Sequence, residues 1–304
     1  MLLTVVSIPR MFAQTEGGSE AFGFAAGTFD PASAGMAFTG AAASSSIAWS
    51  AFRNSAAIPF YDGKLDIQGA FRSWAPKGSA STDAALGAGF ALGEKAGVSV
   101  GFAYLSGSEY EAFDANGAPK GTFKPSDMMV GAGFGMQFGE MFSAGLNVKM
   151  FRSSISDKDS YSAFAGDLMV MGRFGQGLQA AAGITNIGTA AKSSDGGAFN
   201  PPAAVTLAGN YSQAFQDVHT LDANLDLNYY LAGKVGAGLG LQYGWNDMVF
   251  LRVGYRFGTT GAVLPSFLSV GAGFKYKIVS LNLSYLTANE AIGNTVMIGI
   301  GINM

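Results

Sequence analysis

The chain of 304 residues contains no cysteine and a single histidine. The first absence excludes disulfides and thiolate metal sites. The second leaves His219 without the partners an ordinary zinc site needs. No G-x-S-x-G elbow supplies a nucleophile for a triad built on that histidine. Charged residues are scarce, 13 % against roughly a quarter in typical soluble domains. Lysine and arginine are scattered, and without a basic cluster a nucleic-acid surface is not expected. No run of ~18 apolar residues follows the N-terminus, which excludes helical membrane spans. From these absences we expect a non-enzymatic protein without metal or cofactor.

What is present is glycine, 44 residues, and a mean hydropathy of +0.25. A hydrophobic chain without spanning helices has one physical solution in lipid. Every backbone group must be paired, and a closed barrel of alternating strands does that. The stretch "HTLDANLDLNYYL" (219–231) shows the alternation. Leu221, Ala223, Leu225, Leu227 and Tyr229 interleave with Asp222, Asn224, Asp226 and Asn228, the period of a strand with one apolar and one polar face.

The pattern predicts fourteen strands, at 63–74, 83–92, 96–106, 127–138, 141–152, 160–173, 177–187, 202–214, 218–231, 234–245, 247–257, 266–277, 279–287 and 295–303. Most have the length of a tilted membrane strand. Connections after even-numbered strands are tiny, such as "GEK" at 93–95. Those after odd-numbered strands are mostly long, at 107–126, 188–201, 258–265 and 288–294, with "AG" at 232–233 the exception. Short periplasmic turns and longer outer loops have this parity when the N-terminus is periplasmic. The expected fold is all-β, a 14-stranded antiparallel transmembrane β-barrel over 63–304, integral to a bacterial outer membrane.

Each strand has one apolar register, such as Val249, Leu251, Val253, Tyr255 and Phe257, with aromatics near strand ends as in interfacial girdles. The other register holds Gly236, Gly238, Gly240 and Gln242, then Arg252, Arg256 and Lys275. The glycine repeats "GAGFG" (131–135) and "GAGLG" (236–240) do not give G-x-G-x-x-G before a helix. Their period of two puts glycine on the lumen side, where other groups come close. Asp222, Asp226, Arg252, Arg256 and Lys275 form a predicted polar network in the lumen, the arginines reaching the aspartates across a glycine-lined strand. It serves either as an ion-pair network filling the wall or as a polar surface for a plug or solute. Lys64, Asp66, Gln68 and Arg72 read the same way. Leu239→Arg on the lipid face is expected to be damaging and Gly240→Ser in the lumen milder.

Residues 1–13 read as the remnant of a secretory signal peptide, with Ala13 at a plausible cleavage point. Residues 14–62 break the alternation. They are rich in alanine, serine and glycine, with too few large apolar residues for a domain. A plug or hatch folded inside the barrel is the expected role, Asp30 and Pro31 starting a short helix as N-cap and N1. The loops at 107–126 and 188–201 carry Tyr110, Phe113, Phe123 and Phe199 as candidate outer contact residues.

The segment "PASAGMAFTGAAASSSIAWSAFRNSAAI" (31–58) resembles the N-terminal signature of the FadL-like outer-membrane barrels, especially their PorV/PorQ branch. Gly35-Met36, Gly40-Ala41 and Asn54-Ser55-Ala56 carry the match as a hatch motif, with Ser55 where the family has proline. "NPPAAVTLAGNYS" (200–212), "LQYGWNDMVFLRVGYRFG" (241–258) and "LSVGAGFKYKIVSLNLSYL" (268–286) resemble the family too. The resemblance implies a fourteen-stranded barrel with an N-terminal hatch. It further implies an accessory role in type IX protein secretion, binding a larger translocon barrel, an attachment complex or the signal domain of secreted cargo. The alternatives are a FadL-like channel for hydrophobic small molecules and a structural subunit of another outer-membrane complex.

Overall fold

In a computed structural model, which describes residues 20–74, 81–113, 119–155, 160–175, 177–192, 197–287 and 292–304, the alternating runs form fourteen barrel strands. These are β1 (Leu65–Trp74), β2 (Ser81–Leu92), β3 (Ala96–Gly107), β4 (Ser126–Phe138), β5 (Phe142–Ser154), β6 (Ser160–Arg173) and β7 (Leu178–Gly188). They continue as β8 (Ala204–Phe215), β9 (His219–Tyr230), β10 (Lys234–Trp245), β11 (Val249–Gly258), β12 (Phe267–Tyr276), β13 (Val279–Thr287) and β14 (Thr295–Asn303). Each pairs antiparallel with the next, and β14 closes on β1 from Asp66↔Asn303 to Ser73↔Val296. The expected signal remnant, 1–13, lies outside the described residues, as do 114–118 and 193–196 of the two outer loops.

Tight turns gather at one end. Gln216 and Asp217 both have positive φ, as do Asn246 and Asp247, the left-handed pair that a two-residue hairpin requires. At the other end the connections are longer. One holds a small hairpin, Tyr110–Phe113 with Pro119–Phe123, and another pairs Ala191–Lys192 with Ala198–Phe199. Residues 231–233 make a short connection there, at the two-residue break "AG" that stands out in the sequence.

The side-chain period of two gives the wall two faces. Outward, Leu86 (62 % exposed), Leu239 (54 %) and Ile300 (60 %) stand uncovered, with apolar neighbours on every strand. So large an apolar belt needs lipid against it. Inward positions are small or polar, and residues 22–60 occupy the space they leave. This segment winds through short turns, a 3-10 turn Gly23–Ala26, a helix Pro31–Ala34 and two further 3-10 turns, Ser50–Phe52 and Ser55–Phe60. Asp30 caps the helix through Ala32 N at 2.9 Å, and Pro31 is its first residue.

Packing joins segment and wall in three buried clusters. Phe22, Phe29 and Trp49 meet Leu105, Met129 and Phe151; Ala41, Ala57 and Phe60 meet Met169 and Met171; Phe38 meets Phe267 and Leu286. The lumen-facing glycines let the segment touch backbone. A Cβ on Gly254 would overlap the Met36–Ala37 peptide. Gly240, where serine is expected to be milder than arginine at Leu239, meets the same segment. A Cβ there would lie 2.6 Å from Met36 Cβ and against the Thr39 hydroxyl.

Candidate functional site

Two wall carboxylates hold the luminal segment by its backbone. Asp226, on β9, accepts Gly40 N at 3.1 Å and Ala41 N at 3.1 Å. Gly40 has φ +102, which favours glycine and turns its amide toward the carboxylate. Asp66, on β1, accepts Ile47 N at 2.8 Å, Ala48 N at 3.0 Å and the Ser46 hydroxyl at 2.7 Å. Its other oxygen accepts from Asn303 at 2.7 Å and from Gln68. Charge-assisted bonds to backbone amides are the strong kind, and both carboxylates are buried.

The motif residues sit at the same contacts. Asn54 caps the turn that begins at Ser55 by accepting Ala56 N at 2.9 Å, and it donates to Ala41 O at 2.8 Å. Ser55 donates to Asn147 Oδ1 at 2.5 Å, and the Ala56 carbonyl accepts the Ser143 hydroxyl. Met36 is buried against Asn224, and Gly35 lies on Gly271, where a Cβ would come within 3.0 Å of backbone.

The five charges of the predicted lumen network take separate partners. The direct arginine–aspartate pairs expected across β10 do not form among the described residues. Arg252 Nε donates to Gln242 at 2.6 Å, Gln242 donates on to Asp222 at 2.8 Å, and Arg252 Nη1 donates to Asn282 at 2.9 Å. Arg256 donates to Asn228 at 2.9 Å and to the Tyr230 hydroxyl at 3.4 Å. Lys275 pairs with Asp247 at 3.0 Å at the exposed rim. The Asp226 ion pair goes instead to Arg53 of the segment, at 3.3 Å. The reason is reach: amides and the Arg53 guanidinium arrive at Asp226 from the lumen side before a side chain two strands away can.

Sequence reasoning missed Lys149, Asp167 and Asn186. Lys149 pairs with Asp167 at 2.7 Å and donates to Asn186 at 2.9 Å and to the Phe52 carbonyl at 3.0 Å. Their inward register was the available signal. The bulge that turns Asn186 to φ +56 opposite Asp167 has no single-residue signature. In the outer loops Tyr110 and Phe199 are exposed and Phe123 is half-buried; Phe113 ends a hairpin strand, its side chain outside the described set. His219 stacks between Phe215 and Tyr243 and bonds the Tyr243 hydroxyl at 2.7 Å. No cluster of three metal-ligating side chains exists among the described residues.

Two cavities flank the segment. The larger, about 780 Å³, lies toward the tight turns and is polar, with Ser44, Ser46, Asn210, Asp222, Asn224 and Arg252 among its walls. Burial raises the Asp30 carboxyl above its ordinary range here, against the pull of Arg53 and Arg252. Tyr61, at the same mouth, is pushed up to about 12, chiefly by burial and then by the charge of Asp66. The smaller cavity, about 90 Å³, lies between segment and wall, with Phe29, Phe38 and Phe52 beside Lys149, Asp226 and Arg256. Both touch Ala41, Trp49 and Arg53, so these three residues divide one space from the other.

In fold the chain is similar to solved transporter barrels and to a FadL homologue. The toluene transporter TodX of Pseudomonas putida aligns over 91 % of this chain and 99 % of its own, at 14 % identity and a TM-score of 0.65. The toluene transporter TbuX of Ralstonia pickettii aligns over 91 % and 98 %, at 11 % identity and 0.62. A FadL homologue of Pseudomonas aeruginosa aligns over 91 % and 96 %, at 11 % identity and 0.51. No family model matches the sequence, and no curated protein matches it. The chain is an integral outer-membrane protein built as a closed fourteen-stranded barrel.

Proposed function

We propose that the protein is a FadL-like outer-membrane channel for small molecules, non-enzymatic, with residues 20–62 as its hatch. The observation that carries this reading is the division of the lumen. Two cavities lie on either side of one segment and meet at Ala41, Trp49 and Arg53. A segment with space on both sides stands where a local shift would join the two cavities. Related folds support the reading, since TodX and TbuX are toluene transporters and CymD a monoaromatic hydrocarbon channel. The cavity between hatch and wall has aromatic sides but is small, which favours a compact solute over a long acyl chain.

A second reading is a PorV/PorQ-type accessory of type IX secretion that binds a translocon barrel or cargo. The exposed Tyr110 and Phe199 on the outer-end hairpins favour it. One experiment separates the two: purification from the native outer membrane in gentle detergent, with mass spectrometry of proteins and small molecules. The expected result is a solitary barrel carrying a small solute. A large partner barrel or secreted cargo in stoichiometric amount overturns the channel reading in favour of secretion.

A further inference from the structure

Four neighbouring strands set polar side chains in one row on the wall of the larger cavity. Ser212 on β8 stands opposite Asp222 on β9, Asp222 opposite Gln242 on β10, and Gln242 opposite Arg252 on β11. At ~4.8 Å between strands the row spans about 14 Å. Gln242 joins Asp222 to Arg252, and Arg252 reaches on to Asn282 of β13. The guanidinium lies over Gly273, where a Cβ would come within 2.7 Å of it.

The row keeps hydrogen-bonding groups unused among the described residues. Asp222 accepts Gln242 through Oδ2 and leaves Oδ1 free. Arg252 donates through Nε and Nη1 and leaves Nη2 free. Asn282 accepts through Oδ1 and leaves its amide hydrogens free. Two residues along the same face, the buried Ser280 hydroxyl has no partner. Arg252 and Asn282 are each 8 % exposed, so these groups have the cavity as their outlet. The charges of the row cancel, one arginine against one aspartate. Asp30 of the segment faces the same guanidinium, and burial pushes its carboxyl toward the neutral form.

We infer that this cavity binds a neutral polyhydroxylated solute, a monosaccharide or a hexitol, along the row from Asp222 to Asn282. Each hydroxyl both donates and accepts. One such molecule therefore meets the free carboxylate oxygen at one end and the guanidinium and amide donors at the other. An apolar solute leaves those buried groups unpaired, at the cost of their desolvation. An ion finds no excess of opposite charge. The cavity, about 780 Å³ and open toward the tight turns, has room for the molecule. The polar row, not the size, selects it. The inference goes beyond the channel reading, since the cavity holds a solute whether or not the segment shifts.

The test is calorimetric titration of the full chain at pH 7, in a detergent without a sugar headgroup. The probes are glucose and sorbitol, with toluene, inorganic phosphate and ethanolamine as apolar, anionic and cationic controls. Saturable binding is expected for both polyols at millimolar concentration, and weaker binding for each control. Asp222→Leu and Asn282→Leu should each weaken glucose binding about three- to tenfold, the worth of a hydrogen bond. Asp222→Asn, which keeps an acceptor, restores part. Tyr243→Phe, on the outer face of β10, leaves it unchanged. Heat-shifted electrophoretic mobility reports whether each variant is folded. If the leucine variants do not fold, the unaltered chain is titrated with 2-deoxyglucose and cyclohexanol, and affinity must fall as hydroxyls are lost. Absence of polyol binding, equal binding of any control, or affinity unmoved by the leucine substitutions or by hydroxyl loss overturns the proposal. A native barrel that binds no polyol but carries another small solute keeps the channel reading. A barrel purified with a stoichiometric protein partner sinks that reading, and the titration still decides the polar site.

Discussion

Asp66 and Asp226 stand six strand steps apart in the ring of fourteen, on nearly opposite walls, and each accepts two consecutive backbone amides of the same segment. The segment is thus strung across the lumen between two buried carboxylates. Hydrogen bonds to a charged acceptor contribute about 1.5–3 kcal/mol each, and they act beside the apolar packing of the segment on the wall.

Asp66→Ala is therefore expected to free the local amides without opening the barrel. Hydrogen exchange at Ile47 and Ala48 should speed up about ten- to hundredfold, as loss of ~1.5–3 kcal/mol implies. Amides of β3 and β4 should keep their protection. Equal loss in wall and segment shows that Asp66 supports the barrel as a whole.

The wall's two faces give a second expectation. Leu239→Arg places a charge on the lipid side and should cost ~2–4 kcal/mol near the midplane. Denaturant titration of folding into lipid vesicles measures it. A cost near zero puts Leu239 away from lipid.

Close backbone approach gives a third. Gly254→Ala drives a methyl into the Met36–Ala37 peptide and should destabilise by about 1–3 kcal/mol, as overpacking does. Gly209→Ala, with open space at its Cβ, should be near neutral. Limited proteolysis of residues 20–62 reads the difference, since the first change pushes on the segment and the second does not.

Tyr61 gives a pH dependence. Its folded pKa is raised to about 12 from an ordinary 10.0, first by burial and then by Asp66 and Asp62, against a hydrogen bond from Asn303. The neutral phenol is the form the fold favours. Its contribution is complete below pH 10 and is lost as pH rises through about 12, because the unfolded chain ionises first. Tyr61→Phe should flatten the stability profile between pH 10 and 12. An unchanged profile shows that Tyr61 ionises equally in both states.

Strand number, order and face were legible from the sequence because a period of two is local. Each residue's side follows from its neighbours' positions, whatever the chain does elsewhere. Closure followed from the same pattern, since an apolar face with no second sheet to cover it needs lipid, and lipid admits no open edge. The helix cap at Asp30-Pro31 was legible for the same local reason.

Partnership in the lumen was not. Asp226 read as a partner for Arg252 or Arg256 two strands away, but took Arg53 and two amides instead. Arg256, inward by register, was left with a cavity. Alternation says which way a side chain points; it cannot say what an irregular segment brings to meet it. That depends on how residues 22–60 wind through the barrel, which contacts distant in sequence decide. The sequence by itself determined a lipid-facing barrel with a small-residue lumen. The tertiary structure decided which carboxylates anchor the segment and what the inward arginines meet, because both depend on distances across the lumen.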